Sequence, residues 1–586
     1  MRLLNRLVTN LGVVLMVTIA AVAFSPARRI AMAQAGADNS KADEDCFRPD
    51  PTGLARGIDR ACPPKGSSAG VARGDFNGDG FSDLATGSPN EDIGSVLDAG
   101  SVTVIFGSAN GLTMTVTGSS PVPQLLHQNV AGANDVAEGN EFFGTALASG
   151  NFDGDAFSDL AVGVPGENTG GAVQIFRGSN IGLLPVNDVL IEESVIGVTP
   201  RLGDGFGRVL VWGNFNGDSV GDLAVATPSG VAVFFGVAGF GLDSEKPQVV
   251  NLRAIGLNTG TVFAAGDFDK DGSDDLVIGA PQDFGHGGAR VFVINGSPNG
   301  LNTSRVTIFH GGDGLNLTEF GGNFFAATSF GAALAVGDFN GDAALDLAVG
   351  IPDRSIADSD GFTAPAREEV GSVQIFFNNN SSTAGQRGLT TTGTFFLQQG
   401  RGGVSEAPEA QDHFGAALAA GRFNDDQFTD LAIGIPRETI GSSSVHGGAV
   451  YVIYGSATGP SPTAGPGQRL FHQETPGIPG TSEALDDFGS TLTAWNFGRD
   501  FNLVPGPCQG CFHTARLADL VIGVPGEALN DANGTSRWFA GRIVVLYGFP
   551  SDGVSVENLQ DINQNTPGMA SEGGIEEGDR FGSALY

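Results

Sequence analysis

Asp75-Phe76-Asn77-Gly78-Asp79-Gly80-Phe81-Ser82-Asp83, followed at once by the apolar pair Leu84-Ala85, is the stretch on which the fold turns. Oxygen-bearing side chains stand at positions 1, 3, 5 and 9 of these nine residues. The arrangement returns at Asn151, Asp153, Asp155 and Asp159, and again at Asn214, Asn216, Asp218 and Asp222. Further copies hold Asp267, Asp269, Asp271 and Asp275, then Asp338, Asn340, Asp342 and Asp346. A worn copy begins at Arg422 and a broken one at Asn496. A hard cation such as Ca2+ takes six to eight oxygen ligands from a flexible loop. Side chains at 1, 3, 5 and 9 supply part of that set, and a main-chain carbonyl at position 7, on Phe81, Phe157, Val220, Ser273 and Ala344, supplies another. The pattern therefore predicts about five Ca2+ sites. An EF-hand would close with Glu at position 12 between two helices, but Thr86 and Ile278 stand there in the first and fourth copies. The closing acid at position 9 leads instead into a short apolar run stopped by Gly and Pro, as in Asp159-Leu160-Ala161-Val162-Gly163-Val164-Pro165, which reads as a buried strand. The cation would join two strands.

The second copy shows a whole unit: Phe143-Gly144 with an apolar run to Gly150, the loop, the run from Asp159 to Pro165, and a further strand from Gly171 to Gly178. A variable segment precedes the next Phe-Gly, so each unit holds about four strands. Phe-Gly returns at Phe206, Phe330, Phe414, Phe488 and Phe581, and the Gly-led strand at Gly100, Gly288, Gly371, Gly448 and Gly541. Seven units follow one another at a spacing of about 70 residues. A single four-stranded sheet cannot bury both of its faces, and radial closure of such sheets gives a propeller. The expected class is all-β, a seven-bladed β-propeller of four-stranded antiparallel blades.

Phe-Gly, then Gly-Asp/Asn-Phe-Asn-Gly-Asp, then Asp-Leu-x-x-Gly-x-Pro resembles the FG-GAP repeat of the integrin α-chain β-propeller, over residues 69–586. The resemblance implies that the loops are turns between the first and second strands of each blade, all on one face, with ligands meeting the other. It reaches the propeller portion of glycosylphosphatidylinositol-specific phospholipases D, whose chemistry belongs to a separate N-terminal domain for which this chain is expected to have no room. Integrin leg domains and a cytoplasmic tail are likewise not expected, so receptor signalling is not implied. The chain departs from the pattern at several points. Arg422 puts a fixed positive charge at position 1 of the sixth loop, where it is expected to pair with Asp426 or Asp430 and exclude a metal. An insertion containing Cys508 and Cys511 separates Asn496 from Asp519, so the seventh loop is expected to be empty as well. Ser67-Ser68 and Thr259-Gly260 replace Phe-Gly in units one and four. The last residues, Phe581 to Tyr586, open an eighth copy, which either closes the ring beside the first blade or marks a truncation.

Residues 1–33 read as a secretory signal: Arg2 and Arg6, an apolar stretch from Leu11 to Phe24, and small-residue sites at Ala21-Val22-Ala23 and Ala31-Met32-Ala33. Arg28 and Arg29 leave an uncleaved N-terminal anchor as the alternative. Residues 34–68 form a polar tail, and the expected location is secreted, extracellular or at the cell surface. In an oxidising compartment the local disulfides would be Cys46 with Cys62 and Cys508 with Cys511; zinc at the Cys-x-x-Cys would lack two of its four ligands. The net charge is −35, and 15 acids occupy ligand positions in the first five loops. So acidic a surface excludes nucleic acid and anionic membrane as partners.

The attachment tripeptide Arg73-Gly74-Asp75 is read as a coincidence, because Asp75 is a loop ligand. Gly66-Ser67-Ser68-Ala69-Gly70 matches an esterase elbow but lacks the flanking strand and helix. His127, His310 and His472 sit at a similar phase in different units and are expected to hydrogen-bond at strand ends. No catalytic residues are assigned and the chain is not expected to be an enzyme. The preferred reading is a binding or adhesion module for an extracellular protein or carbohydrate ligand. The rivals are a polysaccharide-active hydrolase or lyase on the same scaffold, and a lectin.

Overall fold

The units fold into seven four-stranded antiparallel sheets, with the strands of blades two to seven in chain order from the axis outward. The computed structural model describes residues 74–586 apart from 116–120, 256–261, 282–287, 316–328, 357–367, 383–386, 441–445, 500–502, 506–511, 515–516, 532 and 570–574. The signal and tail (1–33 and 34–68), all four cysteines, Ser67-Ser68 and Thr259-Gly260 lie outside the described residues. Blade two shows the plan: Leu147–Gly150, Asp159–Val164, Ala172–Arg177 and Leu184–Glu192, each hydrogen-bonded to the next. The second strands are buried from end to end in blades one, two, four, five, six and seven, as their continuous apolar runs require. Among the described residues the helical pieces are the 3-10 turns Glu193–Ile196 and Leu252–Ile255.

The hydrophobic core is divided among seven wedges, each shared by two neighbouring blades. The wedge between blades one and two, for example, joins Val102, Val104 and Phe106 to Phe143, Leu160 and Val162. No blade owns a core, which is the physical reason that the units must close on one another. Glycine sets how closely they approach. In Phe-Gly the glycines Gly144, Gly207, Gly331, Gly415, Gly489 and Gly582 have φ between +84° and +91°, a region unfavourable for residues with a Cβ. In every blade except the third, the second strand carries a glycine that lies under the next Phe-Gly: a Cβ on Gly163 would stand 1.9 Å from the Gly207 carbonyl oxygen.

The ring closes through the end of the chain. Ala584–Leu585 is the innermost strand of blade one, pairing with Leu84–Ser88, and Ala85 and Tyr586 exchange two main-chain hydrogen bonds of 3.0 Å. The Tyr586 hydroxyl donates to the Ser149 carbonyl of blade two at 2.9 Å. The strand that follows the final Phe-Gly thus closes the ring beside blade one. The insertion in unit seven contributes a small hairpin of Leu503–Pro505 with Phe512–Thr514.

Candidate metal centre

All 25 candidate ligands are described; loops two to five each link the innermost strand of their blade to the second strand, and loop one leads into the second strand of blade one at the same end. The loops are coiled by their own side chains. The position 5 side chain accepts the N–H of position 7: Phe81 donates to Asp79 at 3.0 Å, Phe157 to Asp155 at 2.7 Å, Val220 to Asp218 at 2.7 Å, Ser273 to Asp271 at 2.9 Å and Ala344 to Asp342 at 2.9 Å. Position 3 accepts the N–H of position 5 in the same way at Asn77, Asp153, Asn216 and Asn340. These Asx turns aim side-chain oxygens inward.

Position 1 divides the loops into two kinds. An aspartate there accepts the N–H groups of positions 5 and 6, as Asp75 does from Asp79 (3.0 Å) and Gly80 (2.9 Å); Asp267 and Asp338 do the same. In loops two and three the Asn151 and Asn214 amides instead donate to the carbonyls of Asp155 and Asp218, both at 2.6 Å. A cation in those two loops requires the amide to turn its oxygen inward. Arg422 imitates the asparagines: its guanidinium donates to the main-chain carbonyl of Asp426, where the sequence reading expected a carboxylate partner.

Loop four fits a cation best. Carboxylate oxygens of Asp267, Asp269 and Asp271 lie within 4.8 Å of one another, the one such three-acid group among the described residues. One oxygen of Asp269 is held by Arg305 (2.9 Å) and Asn295 (3.0 Å); the other is buried with no hydrogen-bond partner. Burial, with the neighbouring carboxylates adding to it, pushes Asp267 up to about 6. Three acids so placed are what a divalent ion relieves, and when bound it would supply charge neutralisation across the turn.

Position 9 behaves differently. In all seven blades its carboxylate accepts two backbone N–H bonds, from position 2 of its own loop and from a residue at the end of the third strand or just past it. Asp83 takes Phe76 (2.7 Å) and Gly107 (2.9 Å), and Asp159 takes Phe152 (2.9 Å) and Gly178 (3.0 Å). Asp430 and Asp519, in the two loops read as metal-free, do the same with Phe423 and Gly455, and with Phe497 and Gly548. Burial pushes Asp159 up to about 7 while the two donors pull it down, and donors on both oxygens are the pattern of a carboxylate acceptor. This aspartate pins loop to sheet with no ion required, a role the sequence reading missed. Its signal was the survival of Asp430 and Asp519 where Arg422 had replaced the first ligand or an insertion had split the loop.

A third device joins the loops around the ring. The main-chain carbonyl of position 1 accepts the N–H of position 8 in the next blade: Ser158 to Asp75 (2.9 Å), Gly221 to Asn151 (2.9 Å), Asp274 to Asn214 (2.7 Å), Thr429 to Asp338 (2.8 Å) and Ser82 to Asn496 (2.8 Å). Ala518 donates to Arg422 at 2.7 Å in the equivalent place. The three histidines, by contrast, stay in blades one, four and six and do not converge.

Comparison with known proteins agrees with this anatomy. The FG-GAP repeat model matches residues 68–105, 143–176, 259–294 and 330–375. Phosphatidylinositol-glycan-specific phospholipase D of Homo sapiens is 34% identical over 165 residues, 25% of this chain and 19% of that protein. Integrin alpha-5 of Xenopus laevis is 29% identical over 219 residues, 36% of this chain and 20% of that one. The chain thus spans about a fifth of the length of these curated relatives. Among solved structures, an Agrocybe aegerita lectin that recognises non-reducing terminal N-acetylglucosamine aligns over 89% of this chain and 95% of its own, with a TM-score of 0.45 and 12% identity. With its repeats matched and its seven blades closed, this chain is an FG-GAP repeat protein, an integrin-α-like seven-bladed β-propeller.

Proposed function

We propose that the chain is exported and acts, without catalysis, as a calcium-stabilised module that binds an extracellular protein or carbohydrate through the face opposite the nine-residue loops. The observation that carries this reading is where large apolar side chains stay exposed. Leu97 and Trp538 lie between the second and third strands of blades one and seven. Val136, Leu202 and Leu485 lie ahead of the innermost strands of blades two, three and seven. All five connections run over the far face of four consecutive blades, and Leu202 is 89% exposed. Loops carried on a rigid scaffold are where recognition concentrates, and exposed apolar side chains gain most from being covered. On the loop face Val122, Ile181, Val237 and Phe240 are the exposed counterparts, at blades one, two and three. Non-catalytic action is supported by the recurrence of buried acids at equivalent places in successive blades, where an enzyme would need one cluster of unlike groups.

Two measurements test the proposal. Titrating the chelated protein with Ca2+ should show about five ions that are lost when the nine-residue loops are altered, and tenfold saturation of each site should add about 1.4 kcal/mol of stability; a melting temperature unchanged by chelator sinks the calcium part. Screening the protein on a glycan array and a panel of extracellular-matrix proteins should return a ligand whose binding weakens at least tenfold in Leu97→Ser/Trp538→Ser. Retention by that variant with loss in Phe240→Ser would move the binding face. Degradation of a polysaccharide in the same screen would overturn the non-catalytic reading.

A further inference from the structure

A second set of acids, outside the nine-residue loops, repeats on the far face. There the second strand runs out through Pro to a buried glutamate at Glu91, Glu167, Glu438 and Glu527, in blades one, two, six and seven. Each accepts a hydrogen bond from a glutamine at the end of the outer strand of the preceding blade: Gln564 (2.5 Å), Gln128 (2.6 Å), Gln399 (2.6 Å) and Gln473 (2.6 Å) respectively. A second buried acid joins it from the residue two places before the Phe of Phe-Gly: Asp579, Glu141, Asp412 and Asp486. Among the described residues, a pair of buried carboxylates and one amide thus stand on the far face at four blade junctions.

One junction is already neutralised by the chain. Between blades six and seven the guanidinium of Arg542 stands 3.4 Å from Glu527, and it also donates to the Pro479 carbonyl at 2.8 Å. Arg542 opens the third strand opposite Val524; in the same register stand Ser101 opposite Ser88, Ala172 opposite Val164 and Ala449 opposite Ile435. None of those three carries charge. At these junctions the buried Glu91 Oε1, Glu141 Oε1 and Asp412 Oδ1 have no hydrogen-bond partner, and neither do the Oε1 atoms of Gln564, Gln128 and Gln399; Gln473 Oε1 at the Arg542 junction is likewise without one, so the junctions differ in their carboxylates. Gln564, Gln128 and Gln399 are 7%, 1% and 0% exposed. Between blades seven and one, a cavity of about 360 Å3 opens at Asp579 of the pair, lined also by the acids Asp92, Asp98, Glu576 and Glu577 and by one cation, Arg580. Two buried carboxylates and an orphaned amide oxygen are costly unless a positive charge sits among them.

We propose that the junctions seven–one, one–two and five–six each bind a hard divalent cation, Ca2+ in an extracellular setting, in the place that Arg542 fills between blades six and seven. The type site is Glu167 and Glu141 of blade two with the amide oxygen of Gln128 from blade one. Carboxylate and amide oxygens are the ligands Ca2+ prefers, and water completes its shell. Because the ligands come from two blades, the ion fastens one to the next. Burial pushes Asp412 up to about 7; the nearby His446 and His413 pull against that rise, yet leave its Oδ1 without a hydrogen-bond partner.

The inference does not depend on the nine-residue loops, and the test separates the two. Protein-bound calcium is counted by atomic emission after gel filtration in Ca2+ for the full chain, for a loop variant and for a junction variant. The loop variant carries Asp→Asn at position 5 of all five loops; the junction variant is Glu91→Gln/Glu167→Gln/Glu438→Gln. About three ions should be lost from the junction variant and about five from the loop variant, relative to the unaltered chain. A junction variant that keeps the full count overturns the proposal, whatever the loops do. Should it fail to fold, Ala172→Arg supplies the missing charge in the manner of Arg542 and should fold with one ion fewer. Terbium anomalous scattering from crystals of the unaltered chain then reads the sites directly: a peak beside Glu167 supports the inference, and peaks confined to the loops refute it.

Discussion

At the scale of single residues, the loop acids perform two kinds of work that substitution can separate. Asp430 holds two buried N–H groups in a loop whose first position is Arg422. Asp430→Asn leaves one of them facing an amide N–H, and hydrogen bonds to a charged acceptor contribute about 1.5–3 kcal/mol each. Its expected cost is about 2–3 kcal/mol in a denaturant titration, the same with Ca2+ or chelator present. Asp271→Asn should behave in the opposite way. It removes one of three converging carboxylates in loop four, so it should leave stability in chelator unchanged or slightly raised and abolish the part of the Ca2+-induced gain that belongs to that loop. Equal behaviour of the two variants would mean that position 5 and position 9 share one role.

At the scale of the element, a blade is defined by how near its neighbour comes. The second strand packs its glycine beneath the Phe-Gly of the next blade, where the oxygen met is main chain and cannot move aside as a side chain would. Gly163→Ala would place a methyl group 1.9 Å from the Gly207 oxygen. It should destabilise by about 2–3 kcal/mol or more, read as a fall in the denaturation midpoint. Gly94→Ala, whose Cβ would meet nothing within 4 Å, should cost only the strain of its φ of +66°, about 1 kcal/mol. The elements themselves were legible from the sequence, because apolar runs bounded by Gly, Pro and Asp admit one strand each. The interblade contacts were not, because a glycine chosen for close approach and one chosen for a turn look alike in a chain.

At the scale of the whole molecule, closure and charge decide stability together. Blade one takes its innermost strand from the last residues, so deleting Phe581–Tyr586 should unfold the ring and not merely loosen one blade. The expected result is loss of the cooperative thermal transition; a truncated chain that melts within a few degrees of the full one would show that the closing strand is dispensable. The far-face acids set the pH dependence. Burial, reinforced by neighbouring carboxylates, pushes Glu91 up to about 9 and Glu438 up to about 8 from an ordinary 4.5. Burial likewise pushes Glu141 up to about 8. The folded chain then holds these protons more tightly than the unfolded one, so stability in chelator should fall as pH rises from about 4.5 to about 9. Bound Ca2+ should flatten that decline by favouring the charged forms. A melting temperature that climbs with pH over this range in chelator would contradict both the burial of these acids and their pairing.

The sequence alone determined the class, the number of blades, the face on which the nine-residue loops would gather and the residues in each. All of these follow from local chemistry repeated seven times, since spacing along the chain is conserved within a turn and a strand. Only the tertiary structure decided the rest. It assigned the last strand to blade one, since pairing partners hundreds of residues apart leave no local trace. It turned the position 9 aspartate into a pin, because one of its two donors lies past the third strand, 19 residues on in blade two. And it brought Gln128, Glu141 and Glu167 to one junction from two blades, where three unremarkable polar residues become a buried cluster. Burial and convergence are properties of packing, and a carboxylate acquires its chemistry from both.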